Sequence, residues 1–282
     1  MSPRFRHLLV TTLVVIILVL LVGATYQGVA TALERRKYPH PGRLVDVGGH
    51  QLHIYCTGER RPGRPTVVLE APEGSMSGEW GWVQAALAER RLVCSYDRAG
   101  LGWSEAGDRP YDPRRVPEEL HALLQNADVP APYILVGQSL GAAFTRLYAA
   151  RYPADVSALV LVDSPDAGAR PEDVGLVALS PWLARTGLLR ASGLFADRAE
   201  GLPHRDAGAL RSFLNRPDHL TRTSRELARW EETVRMASDA DLPRRLRVLT
   251  VSLGRGRISD REQAERLVTA IPGVSVTAAT TK

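Results

Sequence analysis

The sequence predicts one α/β domain on a mostly parallel sheet, preceded by a single apolar segment of near membrane-spanning length. Three observations lead there. After an initial hairpin, strand-like runs alternate with helix-like runs, the pattern of parallel strands joined by helical crossovers. The strand pattern stops between residues 167 and 242 and then resumes, so the intervening helical tract reads as an insertion and not as a second domain. The 282 residues are 44% apolar and 24% charged. That is near globular averages and excludes wholesale disorder and a multi-pass membrane fold.

Residues 8–24, LLVTTLVVIILVLLVGA, carry no charge, and a weakly polar run continues to Leu33. A helix needs about 20 residues to cross the hydrocarbon layer. This run reaches that length with Tyr26 and Gln27 at the interface. Two readings fit. One is an uncleaved anchor spanning residues 1–37 with its basic flank. The other is a signal peptide with Arg4 and Arg6 as its basic start and Ala30-Thr31-Ala32 as its cleavage site, giving a secreted product. The length of the apolar run favours the anchor. Both put the rest of the chain outside the cytoplasm when the N-terminus stays inside, although Arg35, Arg36 and Lys37 weaken the charge asymmetry. Most of the net charge of +5 comes from this region. Residues 1–46 hold six Lys or Arg against Glu34 and Asp46, a surplus of four. Charge that flanks an apolar segment speaks for membrane topology and not for nucleic acid.

The remaining elements follow in order. Residues 38–42 form a breaker-rich linker, and the core resumes through residue 166. Strands are predicted at 44–47, 51–56, 66–70 and 92–96, with Gly48-Gly49 turning the first hairpin. Residues 82–90 are helical. Val116, Leu120, Leu123, Leu124 and Ala127 fall at helical spacing. Residues 133–136 form a buried strand, 140–152 a helix and 158–162 another strand. The insertion, 167–242, includes a helix at 224–238. A second core part, 243–282, contains a strand at 246–253, a helix at 260–270 and the start of a strand at 274–278.

Gly137-Gln138-Ser139-Leu140-Gly141 stands between the strand and the helix, a G-x-S-x-G in strand–turn–helix context. A sharp turn there lifts the serine to the carboxyl edge of the sheet. Small residues at 137 and 141 let strand and helix approach. The free N–H groups of the helix start face a developing oxyanion.

With these residues, and with Tyr96-Asp97-Arg98-Ala99-Gly100-Leu101-Gly102-Trp103-Ser104, residues 66–71 with Trp80, and the segments 149–153 and 158–163, the chain resembles the α/β-hydrolase superfamily. Within it the chain looks like membrane-anchored or secreted bacterial serine esterases. The resemblance runs from about Leu44 to Asp163, is architectural through the insertion, which corresponds to a helical cap, and resumes weakly at Leu246.

The resemblance implies acyl transfer from a small-molecule or lipid-like ester. Ser139 maps onto the nucleophile and the Leu140 N–H onto one oxyanion donor. Pro72 has no N–H, so the Glu73 N–H is the candidate for the second, with its side chain required to point away. Asp163 is the favoured acid, and Asp260 is the alternative, unless it caps its helix. Asp97 and Arg98 read as structural. The family's base follows the last strand, yet none of the seven histidines lies beyond His219. His204 and His219, beside prolines in the insertion, read more simply as surface residues. Two expectations therefore compete: an ester-cleaving enzyme at an extracytoplasmic membrane face whose base lies beyond the 282 residues, or a non-catalytic binding protein of the same fold. In the first case the 282 residues alone turn over poorly.

In the family's strand order Cys56 and Cys94 lie on neighbouring strands, where a disulfide and two buried thiols are both compatible. No phosphate loop, dinucleotide fingerprint or metal-ligand spacing appears, so no cofactor or metal is implied. The insertion holds 11 Arg and 11 Asp or Glu, which gives it no net pull on anions. Its Leu, Val and Trp182 side chains are expected to form an apolar lid over Ser139.

Overall fold

The computed structural model describes residues 2–166, 168, 174–253, 258 and 260–272. Helix α1 (Pro3–Lys37) runs 35 residues without a break, well past the uncharged stretch. It is long and apolar enough to cross a membrane. Pro3 and the Ser2 cap start it, and Arg35, Arg36 and Lys37 in its last turn favour its negative dipole end.

Seven strands form one sheet: β1 (Arg43–Asp46), β2 (Gln51–Thr57), β3 (Thr66–Glu70), β4 (Val93–Tyr96), β5 (Tyr133–Gln138), β6 (Val156–Val162) and β7 (Arg247–Val251). Their spatial order is β1-β2-β4-β3-β5-β6-β7. β1 and β2 pair antiparallel, as do β2 and β4. All later pairings are parallel. Helix α2 (Gly81–Ala88) leads to β4, α3 (Arg115–Asn126) to β5, and α4 (Leu140–Arg151) to β6. Between β6 and β7 come α5 (Val174–Arg185), α6 (Leu188–Ser192), α7 (His204–Leu214), α8 (Pro217–Ala228) and α9 (Trp230–Ser238), and α10 (Arg261–Ala270) follows β7.

Alternate strand residues feed two cores, as a period of two requires. Val68, Leu135, Leu159 and Leu161 pack with Leu120, Leu123, Leu124 and Tyr148 on one face. Val67, Ile134, Val136, Val160 and Val162 pack with Val83, Leu87 and Leu267 on the other. The sheet is thus covered on both sides, which explains why its central strands read as unbroken apolar runs.

Three expectations need correction. The single helix at 224–238 is two helices, because the chain bends at Arg229, whose φ of −109° leaves the helical range. His219 is not at the surface: it is buried, 1% exposed. Trp182 is 68% exposed and forms no lid over Ser139. The expected strand at 274–278 lies outside the described residues.

Cys56 and Cys94 are register partners on β2 and β4 and form a disulfide. Titration of the unfolded protein without reductant should therefore find no free thiol. Two reactive groups per chain would contradict the pairing.

Candidate active site

Ser139 follows β5 and precedes α4, with φ 50° and ψ −122°. A non-glycine residue held there carries backbone strain of order 1–3 kcal/mol, which persists only where the surroundings fix it. Here the Ser139 N–H donates to the Val162 carbonyl at 2.9 Å, tying the turn to the neighbouring strand. The flanking glycines are a steric necessity. A Cβ on Gly137 would lie 2.5 Å from the Gly141 carbonyl oxygen. One on Gly141 would lie 2.6 Å from the carbonyl oxygens of Glu70 and Ala71.

Leu140 N–H belongs to the first residue of α4 and has no helical acceptor. The Leu140 N–H, the Ser139 hydroxyl and the Glu73 N–H all lie near the Glu73 carboxyl group and draw its pKa down. Serine and both candidate oxyanion donors thus converge on one carboxyl. The condition that the Glu73 side chain point away is therefore not met. The cause is local: Glu73 is enclosed, and its own N–H, Leu140 and Ser139 are the donors within reach. Burial pushes its carboxyl above the ordinary range despite the pull of those three groups, and Oε2 is buried with no partner among the described residues.

The loop carrying Glu73 is held by buried charges. Arg98 donates to the Ala71 carbonyl at 2.7 Å and the Pro72 carbonyl at 2.9 Å. It also pairs with Glu70 at 2.6 Å and Glu226 at 2.8 Å. Glu226, on α8, accepts in turn from the Gly74 N–H at 3.2 Å. Burial is the largest single influence on Glu226 and raises its pKa, but the charge and hydrogen bonds of Arg98, with the Arg222 charge and the Gly74 N–H, together outweigh it and hold the carboxyl at about 2. Burial dominates at Glu70, pushing it up to about 6 against the pull of Arg98. Asp97 accepts from the backbone of Ser77 and Trp103 and faces His53 at 3.0 Å. It is a structural residue, as expected.

Asp163 ends β6, at the carboxyl end of the strand beside Ser139, and has φ 44°. Its N–H donates to the Val251 carbonyl at 2.9 Å. Oδ1 accepts from the Leu253 N–H at 2.9 Å and the Ser252 hydroxyl at 3.2 Å. Oδ2 is buried and has no partner among the described residues. One oxygen is anchored and the other is free to orient a cationic or N–H group. Asp260, the alternative acid, caps α10 by accepting from the Gln263 N–H at 2.8 Å.

The histidines are engaged elsewhere. His219 Nδ1 accepts from the Gly102 N–H at 3.1 Å, so its Nε2–H donates to the Gly74 carbonyl at 2.9 Å. Burial lowers its pKa, and with both nitrogens used it braces the Glu73 loop and does not serve as a base. His53 is bound between Asp97 and the Gly42 N–H. It faces Ser77 with the same nitrogen that meets Asp97, which precludes a proton relay. His121 lies against Tyr148 and Asp155. His50 faces Glu119, and His40 meets the Gly42 carbonyl. His204 and His7 are exposed.

A sequence model described as alpha/beta hydrolase fold matches residues 64–240. A Klebsiella pneumoniae protein named "Putative carbamate hydrolase RutD" is 37% identical over 141 residues, 49% of this chain and 48% of that one. The chain spans about half, or less, of the length of such curated relatives. Among solved structures, the enol-lactonase of Burkholderia xenovorans LB400 superposes with a TM-score of 0.57 at 23% identity, covering 82% of this chain and 88% of its own. An alpha/beta hydrolase fold protein of Burkholderia ambifaria superposes with a TM-score of 0.61 at 20% identity, covering 80% and 87%. At such identities these structures speak to the fold.

Proposed function

Given that the chain belongs to the α/β-hydrolase fold family, we propose that it is a hydrolase that cleaves esters by acyl transfer through Ser139. The observation that carries this reading is the convergence of Ser139, the Leu140 N–H and the Glu73 N–H on one carboxyl. A carboxylate oxygen there stands in for the oxyanion of a tetrahedral intermediate. In the reaction the Ser139 oxygen attacks the ester carbonyl, and its proton passes to an imidazole oriented by Asp163 Oδ2. The two N–H groups hold the oxyanion once the Glu73 side chain has swung out. The imidazolium then protonates the departing alcohol, and water releases the acyl group by the same steps in reverse roles.

We read α1 as a single-pass anchor that holds the hydrolase outside the cytoplasm, with α5–α9 as the cap of a core formed by the segments on either side. The contacts of α1 support the anchor over a cleaved peptide. Gln27 donates to the Asn215 carbonyl at 2.7 Å. Cleavage near Ala30 or Ala32 would remove it.

None of the seven histidines meets Ser139 or Asp163, so added imidazole is expected to act as the base. Hydrolysis of p-nitrophenyl acetate by the 282-residue chain should rise with imidazole above the rate of imidazole alone. Ser139→Ala should remove the increment, and Asp163→Asn should reduce it. An increment that survives Ser139→Ala would overturn the assignment. No increment in the unsubstituted chain would favour a non-catalytic binding role.

A further inference from the structure

Four large apolar side chains between residues 179 and 194 are exposed. Leu179 and Trp182 on α5, Leu188 on α6, and Leu194 are all at least half exposed. The first three flank the α5–α6 turn, Leu194 follows α6, and the turn is fixed against α1 at Gly23. Gly187 approaches Gly23 so closely that a Cβ on Gly187 would lie 2.7 Å from the Gly23 carbonyl oxygen and 3.3 Å from the Tyr26 ring. A Cβ on Gly23 would overlap the Thr186 carbonyl. Two glycines facing each other let the backbones touch, as in packed membrane helices.

The depth follows from helix geometry. Residues 8–24 rise about 26 Å at 1.5 Å per residue, close to the hydrocarbon thickness of about 30 Å. Gly23 is the penultimate residue of that span, so the turn that touches it lies at the hydrocarbon boundary. The helical block then climbs α1 away from the hydrocarbon through polar contacts. Arg190 donates to Gln27 at 2.9 Å and pairs with Glu34, and the Ser212 hydroxyl donates to Glu34 at 3.0 Å. Thus apolar side chains are exposed beside Gly23, and polar pairs take over from Gln27 onward. The guanidinium of Arg185 lies over the Trp182 ring, 5.1 Å from its centroid. A Trp with an Arg beside it suits the level of lipid headgroups.

We infer that Leu179, Trp182, Leu188 and Leu194 form a second membrane contact, bedded in the interface of the phospholipid bilayer that α1 spans. The inference rests on the anchor reading of α1. It also bears on the substrate. Val177, on the opposite side of α5 from solvent, is buried with Leu140 and Phe144 beside the nucleophile turn. One helix therefore joins the bilayer to the wall of the site, which favours ester substrates drawn from the lipid phase.

The test uses the full chain in phosphatidylcholine–phosphatidylglycerol nanodiscs with an environment-sensitive fluorophore on single introduced cysteines. The native cysteines are paired and do not compete for label. Val15→Cys reports on the anchor, Trp182→Cys and Leu188→Cys on the proposed contact, and Arg261→Cys on α10 serves as the exposed control. The expected result is deep quenching by lipids spin-labelled low on the acyl chain at 15. At 182 and 188, a blue shift and loss of intensity with lipids labelled near the headgroup should appear, with neither at 261. Quenching at 15 without any at 182 and 188 would overturn the second contact and leave the anchor standing. Absence of quenching at 15 would overturn both. Gly23→Ile, which separates the turn from α1, should lower the quenching at 182 and keep that at 15. Unchanged quenching at 182 in that variant would also contradict the inference.

Discussion

Glu73→Ala should raise the imidazole-supported kcat of Ser139 toward p-nitrophenyl acetate by on the order of 10². The carboxyl occupies both oxyanion donors, and one such donor is worth about 10²–10³ in kcat. Alanine keeps the backbone N–H of residue 73 and vacates the space. Glu73→Gln separates charge from occupancy: it retains the shape and removes the negative charge that opposes an oxyanion. It should fall between the parent and Glu73→Ala. A loss of activity in Glu73→Ala would mean that the carboxylate takes part in the reaction, accepting the Ser139 proton itself.

Arg98→Met should destabilise the fold by about 3–5 kcal/mol, as breaking a buried ion pair leaves uncompensated charge behind. Arg98 is 2% exposed and Glu226 fully buried, so water cannot take over. The lost guanidinium would also free the Ala71 and Pro72 carbonyls and with them the Glu73 loop. Denaturant unfolding reads the stability, and Glu226→Gln in the same chain should recover part of the loss. If Arg98→Met unfolds at the parent's midpoint, the network does not hold the loop. Acid gives an independent check. Glu226 has a folded pKa of about 2, below its ordinary 4.5. Its contribution is complete above pH 4.5 and is lost as pH falls toward about 2. A depression of that size corresponds to about 3 kcal/mol. Glu70 has the opposite sign: raised to about 6, it favours the fold below about 4.5 and loses that contribution as pH rises through 6. Glu226→Gln should therefore flatten the acid limb and move the limb near pH 6 to lower pH, because the Glu226 charge helps to hold the Glu70 pKa up.

Local order made half of the site legible. The turn at Ser139 announces itself because two glycines and a serine at fixed spacing are what a strand-to-helix reversal demands. The Asp163 position was readable for a similar reason, since the residue directly follows an apolar strand. What escaped is non-local. Arg98 and Glu226 are 128 residues apart in the chain, and nothing in either segment announces the other. The inward turn of the Glu73 side chain depends on which donors surround it, a property of the assembled loop. His219 looked like a surface residue beside Pro217. It is buried because α8 presses it between Gly74 and Gly102, which only the packing of α8 reveals. The break at Arg229 has neither glycine nor proline to mark it. The cysteines were legible only in part: the family's strand order makes β2 and β4 neighbours and leaves a disulfide and two buried thiols both open, and it is the register of the two strands that brings Cys56 opposite Cys94.

Covalent trapping of the nucleophile tests the central claim most directly. The full chain in detergent micelles, treated with a fluorophosphonate in the presence of imidazole and digested, should yield one adduct by tandem mass spectrometry, on Ser139. The adduct should vanish in Ser139→Ala and form more slowly in Asp163→Asn. An adduct on another residue, or none on Ser139 at saturating imidazole, would contradict the assignment of Ser139 as the acyl acceptor.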